Sequence, residues 1–362
     1  MVRYFNLNLL GKLIMAIAIA GNVSLISNSQ ALAETVEVSG GGQCEGDITA
    51  DNLNGKVVCT YSNGDRFEGQ FVLKDTASHI DGKKQGQGTY TFADGGKYQG
   101  TFTNDAIAGE GVRTYKNGDR YEGEFKNGQP DGEGVYIGAD GGRYEGQFTD
   151  GEPSGQGTFT YANGDRCSGV VTGGQLNGEG ECRYSNGDIY QGQFVNGKPE
   201  GQSVYNFVNG GSYQGSFSAG EFSGKGIRKY KDGNTYEGEF ANGKPSGIGT
   251  YTFADGSSYQ GGMSQGKFSG QGVFTEASGN RYEGEFSNGK YDGAGIYIFA
   301  NGDRCEGTFE GGQLNGGAVC DYSSGDTYEG EFLNGQKHGA GVYTFADGTA
   351  VEGTWSSDEY QQ

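Results

Sequence analysis

Histidine is almost missing from this chain, and its cysteines are not spaced like metal ligands. His79 and His338 are the only two histidines among 362 residues, and they lie far apart in the sequence. Histidine is the most frequent general acid or base in enzymes. Structural zinc sites and dithiol redox sites usually carry Cys-x-x-Cys pairs, which do not occur here. The sequence therefore predicts a protein that is not an enzyme and that needs no metal or other cofactor.

Acidic turns are the remaining candidates for a metal site. Asn-Gly-Asp recurs along the chain and ends at Asp65, Asp119, Asp188 and Asp303. Calcium takes about six to eight oxygen ligands at about 2.3–2.6 Å. Equivalent turns of successive hairpins should lie about 10 Å apart, so that one Asp per turn cannot surround an ion. We therefore favour solvated turns over calcium sites.

Positive charge is scarce. Lys and Arg number 26 against 46 Asp and Glu, which gives a formal net charge of −20. Affinity for nucleic acids comes from basic residues that neutralise phosphates, and anionic lipid surfaces attract basic segments. The charge balance argues against nucleic acid as a partner and against attraction to an anionic membrane surface.

The chain has one long apolar run, and it lies near the N-terminus. Leu13–Ala20 is uninterrupted, Arg3 and Lys12 precede it, and Ala31–Ala33 fits a small-x-small cleavage site. This is the layout of a secretory signal peptide, and the run is too short for a spanning helix. We predict a signal peptide over residues 1–33 and a short linker over residues 34–43. An uncleaved N-terminal anchor is the alternative. Export would place the protein in a periplasm, in the cell envelope or outside the cell.

Proline is rare as well, with 4 residues, whereas glycine reaches 74 and the chain has 24 Tyr and 21 Phe. Disordered chains are poor in aromatic residues, so these glycines must serve turns and close packing. We number the repeat from the position of Tyr121, called offset 0. This position recurs at intervals of 23 residues, with one interval of 31. The residues at offset 0 are Cys44, Phe67, Tyr98, Tyr121, Tyr144, Cys167, Tyr190, Tyr213, Tyr236, Tyr259, Tyr282, Cys305, Tyr328 and Val351. A fixed period in this range indicates a repeat architecture.

Each repeat alternates like a β-hairpin. Aromatic residues and glycines occupy offsets 0, 2 and 4, Glu or Gln often fills offsets 1 and 3, and the second half resumes with glycines at offsets 11 and 13. Such alternation is typical of half-exposed strands. If offsets that sum to 15 face each other, Tyr236 meets Tyr251, Gly238 meets Gly249 and Phe240 meets Gly247. The apolar side chains then share one face.

The predicted fold is all-β: an elongated single-layer antiparallel sheet of stacked 23-residue β-hairpin repeats. The array covers residues 44–355, with about 13 hairpins and a terminal strand, and residues 356–362 form a C-terminal tail. Three-residue connections that end in Gly, as at Ala254–Gly256, suit a type I turn followed by a glycine bulge. These turns would place offset 15 opposite offset 0 of the next repeat as well.

The six cysteines fall in three pairs, and each pair joins offsets 0 and 15 of one repeat. Directly opposed residues of an antiparallel pair are close enough for a disulfide bond, and an exported chain meets an oxidising environment. We predict the cross-strand disulfides Cys44–Cys59, Cys167–Cys182 and Cys305–Cys320.

The longer interval contains eight additional residues between Phe71 and Gly86. This stretch includes Lys74, His79, Lys83 and Lys84 and predicts a locally basic loop on an acidic protein. Insertions in loops are well tolerated, and a contact with a partner is the alternative role.

The repeat resembles the MORN repeat (membrane occupation and recognition nexus). The resemblance rests on Tyr-Glu-Gly-Glu-Phe at Tyr121–Phe125, on the following Asn-Gly, and on Gly-x-Gly at this period. It implies an elongated sheet of stacked hairpins that serves as a scaffold for protein interaction and that forms dimers in some members. The family name reflects a proposed role at lipid membranes.

A single-layer sheet leaves its aromatic face without a cover, and we predict an interaction surface there. Its residues are Tyr98, Tyr121, Tyr136, Tyr144, Phe159, Tyr190, Tyr213, Tyr236, Tyr251, Tyr259, Tyr282 and Tyr328. The favoured function is a non-enzymatic exported scaffold that binds a protein partner, with a homodimer as one form. The alternatives are binding of an envelope glycan by the aromatic ladder and, after that, association with membrane lipids.

Overall fold

A computed structural model describes residues 22–23, 36–38, 42–46, 54–76 and 79–361 of the chain. These residues form thirty β-strands and no helix. No helix of sufficient length and apolarity to cross a membrane is present in this described part. Of the predicted signal peptide the structure describes only Asn22–Val23, so its cleavage site lies outside the described residues.

The chain divides into two compact units, which are described separately. Unit 1 comprises Met1–Gly187 and Phe194–Lys198, and unit 2 comprises Asp188–Gln193 and Pro199–Gln362. The strands of unit 1 are β1 (Asn22–Val23), β2 (Val36–Val38), β3 (Gly42–Gly46), β4 (Asn54–Thr60), β5 (Arg66–Thr76), β6 (His79–Thr91), β7 (Lys97–Thr103), β8 (Ala106–Thr114), β9 (Arg120–Lys126), β10 (Gln129–Ile137), β11 (Arg143–Thr149), β12 (Glu152–Thr160), β13 (Arg166–Thr172) and β14 (Gln175–Arg183).

Strand β15 (Ile189–Val195) has residues in both units, and the strands that follow belong to unit 2 except for the first residue of β16. They are β16 (Lys198–Asn206), β17 (Ser212–Ser218), β18 (Glu221–Lys229), β19 (Thr235–Ala241), β20 (Lys244–Thr252), β21 (Ser258–Ser264), β22 (Lys267–Thr275), β23 (Arg281–Ser287), β24 (Lys290–Ile298), β25 (Arg304–Glu310), β26 (Gln313–Asp321), β27 (Thr327–Leu333), β28 (Gln336–Thr344), β29 (Ala350–Ser356) and β30 (Glu359–Gln361).

Within each unit, consecutive strands pair in antiparallel fashion. This holds from β2 to β14 in unit 1 and from β16 to β30 in unit 2. The only other pairing in the described part of unit 1 joins β1 to the outer end of β6. The predicted all-β fold of antiparallel 23-residue hairpins is confirmed.

Two turn types alternate along the repeats. Within a hairpin, Asn127 and Gly128 both have positive φ, 51° and 81°, which is the two-residue type I′ turn that Asn-Gly favours. Between hairpins, the Gly256 amide donates to the Phe253 carbonyl at 3.1 Å, and the Phe253 amide donates to the Ser257 carbonyl at 2.8 Å. With Gly256 at a φ of 93°, this is the predicted three-residue turn with its glycine bulge.

Most of the predicted register is correct, and one pair is wrong. Tyr236 lies opposite Tyr251, and Gly238 opposite Gly249. Phe240, however, pairs with Pro245 instead of Gly247, and a bulge lies between Gly238 and Phe240. The reason is that the two-residue turn and the tyrosine pair demand registers that differ by two residues, so the second strand of the hairpin takes up the difference as a bulge.

The disulfide prediction is confirmed. Each cysteine of offset 0 lies directly opposite its partner at offset 15. Cα–Cα distances of 3.9, 4.0 and 4.0 Å bring the three pairs together, and no free cysteine occurs among the described residues. The sulfurs occupy the places that aromatic rings take in most other repeats.

The core of each unit is a layer of aromatic rings laid on glycine backbone. The Tyr121 ring lies over Gly123 and Gly134, where an added Cβ on Gly134 would sit 2.3 Å from the tyrosine oxygen. The Tyr121 hydroxyl donates to the Glu124 carbonyl at 2.9 Å. Phe125 and Phe148 pack edge-on against the ring, at centroid distances of 4.9 and 4.8 Å, a geometry that the ring quadrupoles favour. Each offset-4 ring thus joins two repeats.

The expected basic loop is wrong, because the additional residues lengthen a hairpin. Strands β5 and β6 continue their pairing outward until Thr76 lies opposite His79. Lys84, at the base of this extension, is buried: its side chain is 3% exposed and forms an ion pair with Asp105. Burial lowers the pKa of the Lys84 ammonium group, and the Asp105 carboxylate opposes that shift.

Lys84 belongs to a paired replacement that the chain makes twice. All four prolines, the first of them Pro130, stand at offset 9, and the type I′ turn of the following repeat then has Gly at offset 7. Lys84 and Lys337 take the proline place, and Asp105 and Asp358 take the corresponding glycine place. In both cases the lysine amide donates to the aspartate Oδ1 at 2.9 Å. Proline has no N–H to donate, whereas at these two places the aspartate accepts the backbone N–H of the lysine, and Asp105 also lies beside the Lys84 ammonium group.

The ammonium groups of both lysines lie among aromatic rings. Lys84 Nζ is 5.4–5.8 Å from three ring centroids, and Lys337 Nζ is 4.9–5.4 Å from four. These rings belong to Tyr61, Phe67 and Tyr90 for Lys84, and to Tyr322, Tyr328, Tyr343 and Trp355 for Lys337. Ring faces attract cations, so the lysines fill places in the ring layer where other repeats have apolar side chains.

The contact between ring and glycine predicts a sharp contrast between two Gly→Ala substitutions. In Gly295→Ala the new Cβ would meet the Tyr282 ring at 2.3–2.5 Å, and we expect a loss of about 1–3 kcal/mol from overpacking. In Gly317→Ala, where nothing lies within 4 Å and φ is ordinary, stability should stay or rise by up to about 1 kcal/mol. Denaturant unfolding with hydrogen exchange across unit 2 measures both, and equal effects would contradict the packing.

The paired replacement predicts rescue by a second substitution. Lys84→Met leaves the Asp105 carboxylate buried without its cation, which should cost about 3–5 kcal/mol. The double variant Lys84→Pro with Asp105→Gly copies the combination of Pro130 with Gly151, and we expect stability within about 1 kcal/mol of the original. A double-mutant cycle in urea measures the coupling energy, and strictly additive effects would show that the two positions are independent.

Candidate functional site

The predicted interaction row is built mainly from core residues. Its nine offset-0 tyrosines are at most 1% exposed. They are Tyr98, Tyr121, Tyr144, Tyr190, Tyr213, Tyr236, Tyr259, Tyr282 and Tyr328. Burial raises the pKa of Tyr98, Tyr144 and Tyr259 to about 12, so these hydroxyls remain neutral. Because glycine backbone and neighbouring rings cover their faces, they present no flat surface to a sugar ring.

The other members of the row stand at offset 15. Tyr136 and Phe159 are buried, and Tyr251 is half-buried. Tyr251 packs against Phe253, with ring centroids 4.7 Å apart. Its neighbours on the two adjacent strands are the buried Tyr236 and Tyr259, so Tyr251 is not part of an exposed row of rings. The structure therefore brings the row together as predicted, in the role of a core. A role in binding a partner stays a prediction.

The acidic turns hold the tyrosine hydroxyls, which the sequence reasoning missed. The Tyr205 hydroxyl donates to Asp188 at 2.8 Å, and the Tyr343 hydroxyl donates to Asp326 at 2.8 Å. The second carboxylate oxygen of Asp326 accepts the Ala346 amide at 2.8 Å. These hydrogen bonds lower the pKa of the Asp326 carboxyl. Carboxylate oxygens that accept hydrogen bonds from the protein in this way are occupied and are poorly placed to bind calcium.

The sequence contains a signal for these hydrogen bonds between turn aspartates and tyrosine hydroxyls. Where offset −2 is Asp, offset 15 is Tyr or Cys, whereas Gly96 and Gly211 at offset −2 go with Arg113 and Arg228 at offset 15. Every tyrosine at offset 15 thus goes with Asp or Asn at offset −2, and the two arginines occur where offset −2 is Gly. The pairing shows that these aspartates serve the fold of the turn.

Arg113 borders a cavity of about 590 Å³ on the side of the rings. Its guanidinium carbon lies 4.8 Å from the Phe92 centroid and 4.9 Å from the Tyr115 centroid. Pro130 and Tyr136 also line this cavity. The equivalent Arg228 stacks 3.5 Å from the Phe207 centroid, and burial lowers its pKa. The rim of the Arg113 cavity mixes both charge signs, so its chemistry favours no single ligand.

The opposite side of the sheet carries side chains that the core does not use. We call it the open face and define it by the side chains at offsets −1, 1, 3, 12, 14 and 16. In unit 2 it forms a groove of about 780 Å³, which is lined by Val273, Glu283, Ile296 and Glu306 among others. In unit 1 a groove of about 400 Å³ includes Lys56 and Glu68. The open face is the candidate functional surface, since its side chains hold neither rings nor turns together.

The open face offers carboxylates and β-branched side chains. Arg281 and Arg304 form ion pairs with Glu283 and Glu306 on the same strands. Exposed pairs of this kind contribute little to stability and exchange readily with other charges. No group of three or more His, Cys, Asp or Glu side chains within the described ranges is arranged to hold a metal ion. The arrangement suits recognition of a partner surface.

Comparison with solved structures gives alignments of low similarity. One is with the TCP domain of SAS-4 of Drosophila melanogaster, in complex with a proline-rich motif of Ana2, at 10% identity, with 56% of this chain and 90% of that chain covered and a TM-score of 0.24. A streptogramin B lyase aligns at 14% identity, with 79% and 88% covered and a TM-score of 0.12. A virginiamycin B lyase from Staphylococcus aureus aligns at 11% identity, with 86% and 88% covered and a TM-score of 0.11. At these TM-scores the likenesses carry no argument.

No curated protein matches the chain, but a family model does. The model of the MORN repeat matches twelve successive segments over residues 80–350, and eleven of them begin at offset 0. The hairpin that begins at Cys44 and the first strand of the hairpin that begins at Phe67 precede the matched residues, and both hairpins share the same cross-strand register. With period, phase and hairpin geometry in agreement, the chain belongs to the MORN repeat family.

Proposed function

We propose that the protein is a non-enzymatic, exported scaffold that binds a protein partner through its open face. The observation that carries this proposal is that the side chains of one face form the core, whereas those of the other face do not. The ring side chains are buried in the core, since Tyr98 and its counterparts are at most 1% exposed. On the open face, side chains that do not belong to the core line a groove. Grooves of this kind, with apolar side chains among a few polar groups, are typical binding surfaces.

The three disulfides support export, in addition to the signal peptide that the sequence predicts. Cross-links of this type persist in oxidising compartments and are rare in a reducing cytosol. The pairs Cys44–Cys59, Cys167–Cys182 and Cys305–Cys320 lie in separate hairpins, and each closes a loop of a length that stabilises by about 3 kcal/mol. A chain built with such bonds suits the periplasm, the cell envelope or the extracellular space.

The alternatives have less support. Glycan stacking needs exposed ring faces, and the offset-0 tyrosines of the ladder are buried. Attraction to anionic lipids needs basic side chains, and the chain has a formal net charge of −20.

Export predicts a shortened chain without free thiols. Intact mass spectrometry of the protein from its native host should give a mass that begins near Glu34, with all six cysteines resistant to alkylation until a reductant is added. Reduction should then expose six thiols. A chain that keeps Met1 and reacts with alkylating agents without reduction would contradict export.

The scaffold role predicts that crosslinks to a protein form at the open face. A photo-crosslinking amino acid at Val319 on the open face, which is 39% exposed, should give a discrete protein adduct in native envelope material. The matched control is Phe345, which is 43% exposed but lies outside that face. Adducts at Phe345 alone, or adducts only to lipid or glycan, would count against the proposal.

A further inference from the structure

The open face of unit 2 carries an uninterrupted ladder of alternating side chains. Over eight adjacent strands, β22–β29, each β-branched residue lies directly opposite a glutamate on the next strand. The ladder consists, in order, of Val273, Glu283, Ile296, Glu306, Val319, Glu329, Val342 and Glu352. Its first four members line the groove of about 780 Å³. The ladder thus continues a formed groove.

The spacing of the carboxylates follows from the sheet. Adjacent strands lie about 4.7–4.9 Å apart, so glutamates on alternate strands repeat every 9.4–9.8 Å or so. A polyproline II helix has three residues per turn and a rise of about 3.1 Å, so every third side chain points the same way about 9.3 Å further on. A chain in that conformation, laid across the strands, would meet one carboxylate per turn.

Other backbone conformations fit less well. An α-helix returns to the same face after about seven residues, or 10.5 Å, and falls out of step with the carboxylates by about 1 Å at each one. In a β-strand, side chains three apart point to opposite sides. The polyproline II match is within about 0.5 Å at each step. It therefore keeps four cationic side chains near Glu283, Glu306, Glu329 and Glu352.

The charge of the surface selects a basic occupant. Among the open-face positions of β22–β29, seven residues are acidic and two are basic. The acidic residues are Glu283, Glu285, Glu306, Asp321, Glu329, Glu331 and Glu352, and the basic ones are Arg281 and Arg304. Arg281 and Arg304 pair with the first two ladder glutamates. Thr327 and Ala350 stand at the same offset before Glu329 and Glu352, so the second half of the ladder has the larger excess of negative charge.

The β-branched members supply the apolar part of the surface. Val319 is 39% exposed between Glu306 and Glu329, and Ile296 and Val342 are half-buried. Two residues of each polyproline II turn face away from the carboxylate row or between its members. Proline rings at those positions would pack against Val and Ile without bringing unsatisfied backbone N–H groups into the groove.

From these observations we infer that the open face of β22–β29 binds a basic segment of a partner protein in the polyproline II conformation. The segment carries Lys or Arg at every third residue over about ten residues and lies across the strands. This inference rests on the proposed function, and it names the chemistry of the partner.

The test uses two peptide isomers on the full mature chain. One fluorescein-labelled peptide has four Lys-Pro-Pro units, and the other has the same composition with its four lysines in two adjacent pairs. Because charge and proline content are equal, only the spacing differs. The regularly spaced peptide should bind at least about fivefold more tightly in fluorescence anisotropy at low salt, and its affinity should fall as salt increases.

Matched variants locate the site. In Glu329→Gln with Glu352→Gln, the loss of two exposed charge pairs should weaken binding of the regular peptide about fivefold or more. Asp292→Asn with Glu310→Gln removes the same charge at exposed hairpin ends and should change binding less than about twofold. Circular dichroism is measured for both variants to check that they are folded. Equal affinity for the two isomers, or equal effects of the two double variants, would overturn the proposal, as would absence of binding.

The outcome can be separated from the fate of the scaffold proposal. If Val319 crosslinks to a protein that lacks a basic segment of this spacing, the scaffold role stands and the polyproline II inference fails. If the peptide binds with the expected register but no protein adduct forms in envelope material, the surface chemistry stands and the proposed function fails. Competition by spermidine that is as strong as competition by the regular peptide would identify a small polycation as the occupant and overturn the inference.

Discussion

The contact between a tyrosine ring and two glycines of a hairpin determines most of this structure. Tyr121 needs Gly123 beneath it on its own strand and Gly134 opposite, since an added Cβ at either place would lie within 3 Å of the ring or its hydroxyl. This contact fixes the strand register and places the next aromatic residue, Phe125, where it packs edge-on. Because most repeats reproduce this contact, the glycine content and the aromatic content rise together. A sheet of one layer can then bury its rings without a second layer, although two packed layers are the usual solution.

The sequence was sufficient for the strands, the turns and the disulfides, because those features leave paired marks at fixed offsets. Cys167 and Cys182 replace two rings together, and directly opposed positions are the ones where this works. The bulge could not be predicted in the same way. It arises because the Asn-Gly turn and the tyrosine pair require different registers, and each is locally favourable by itself. The pairing of Phe240 with Pro245 is visible only when both constraints act on the same strand.

Two further features had signals that are clear in retrospect. Lys84 with Asp105 and Lys337 with Asp358 repeat one double replacement, as the cysteines do. A comparison of offsets within one repeat does not show them, because the two positions of each pair belong to different repeats. The buried state of the rings was missed for another reason. A single-layer sheet suggests an uncovered face, but that argument ignores how much surface a large ring covers when it lies flat on glycine backbone.

The same constraint explains why the open face can carry information about a partner. On the ring side almost every position is fixed by packing, so side chains there cannot vary without loss of stability. On the open face, the clearest structural demand is at offset 3, where side chains such as Glu285 lie over the glycine at offset 11. Offsets 1 and 14 have no such role, and the chain fills them differently in different places: Thr158 and Ser168 interrupt the alternation in unit 1, whereas Val273 to Glu352 keeps it over eight strands. A regularity that the fold does not require is best explained by something outside the fold. The basic partner segment inferred above would account for the alternation in unit 2, whereas packing alone accounts for the aromatic residues.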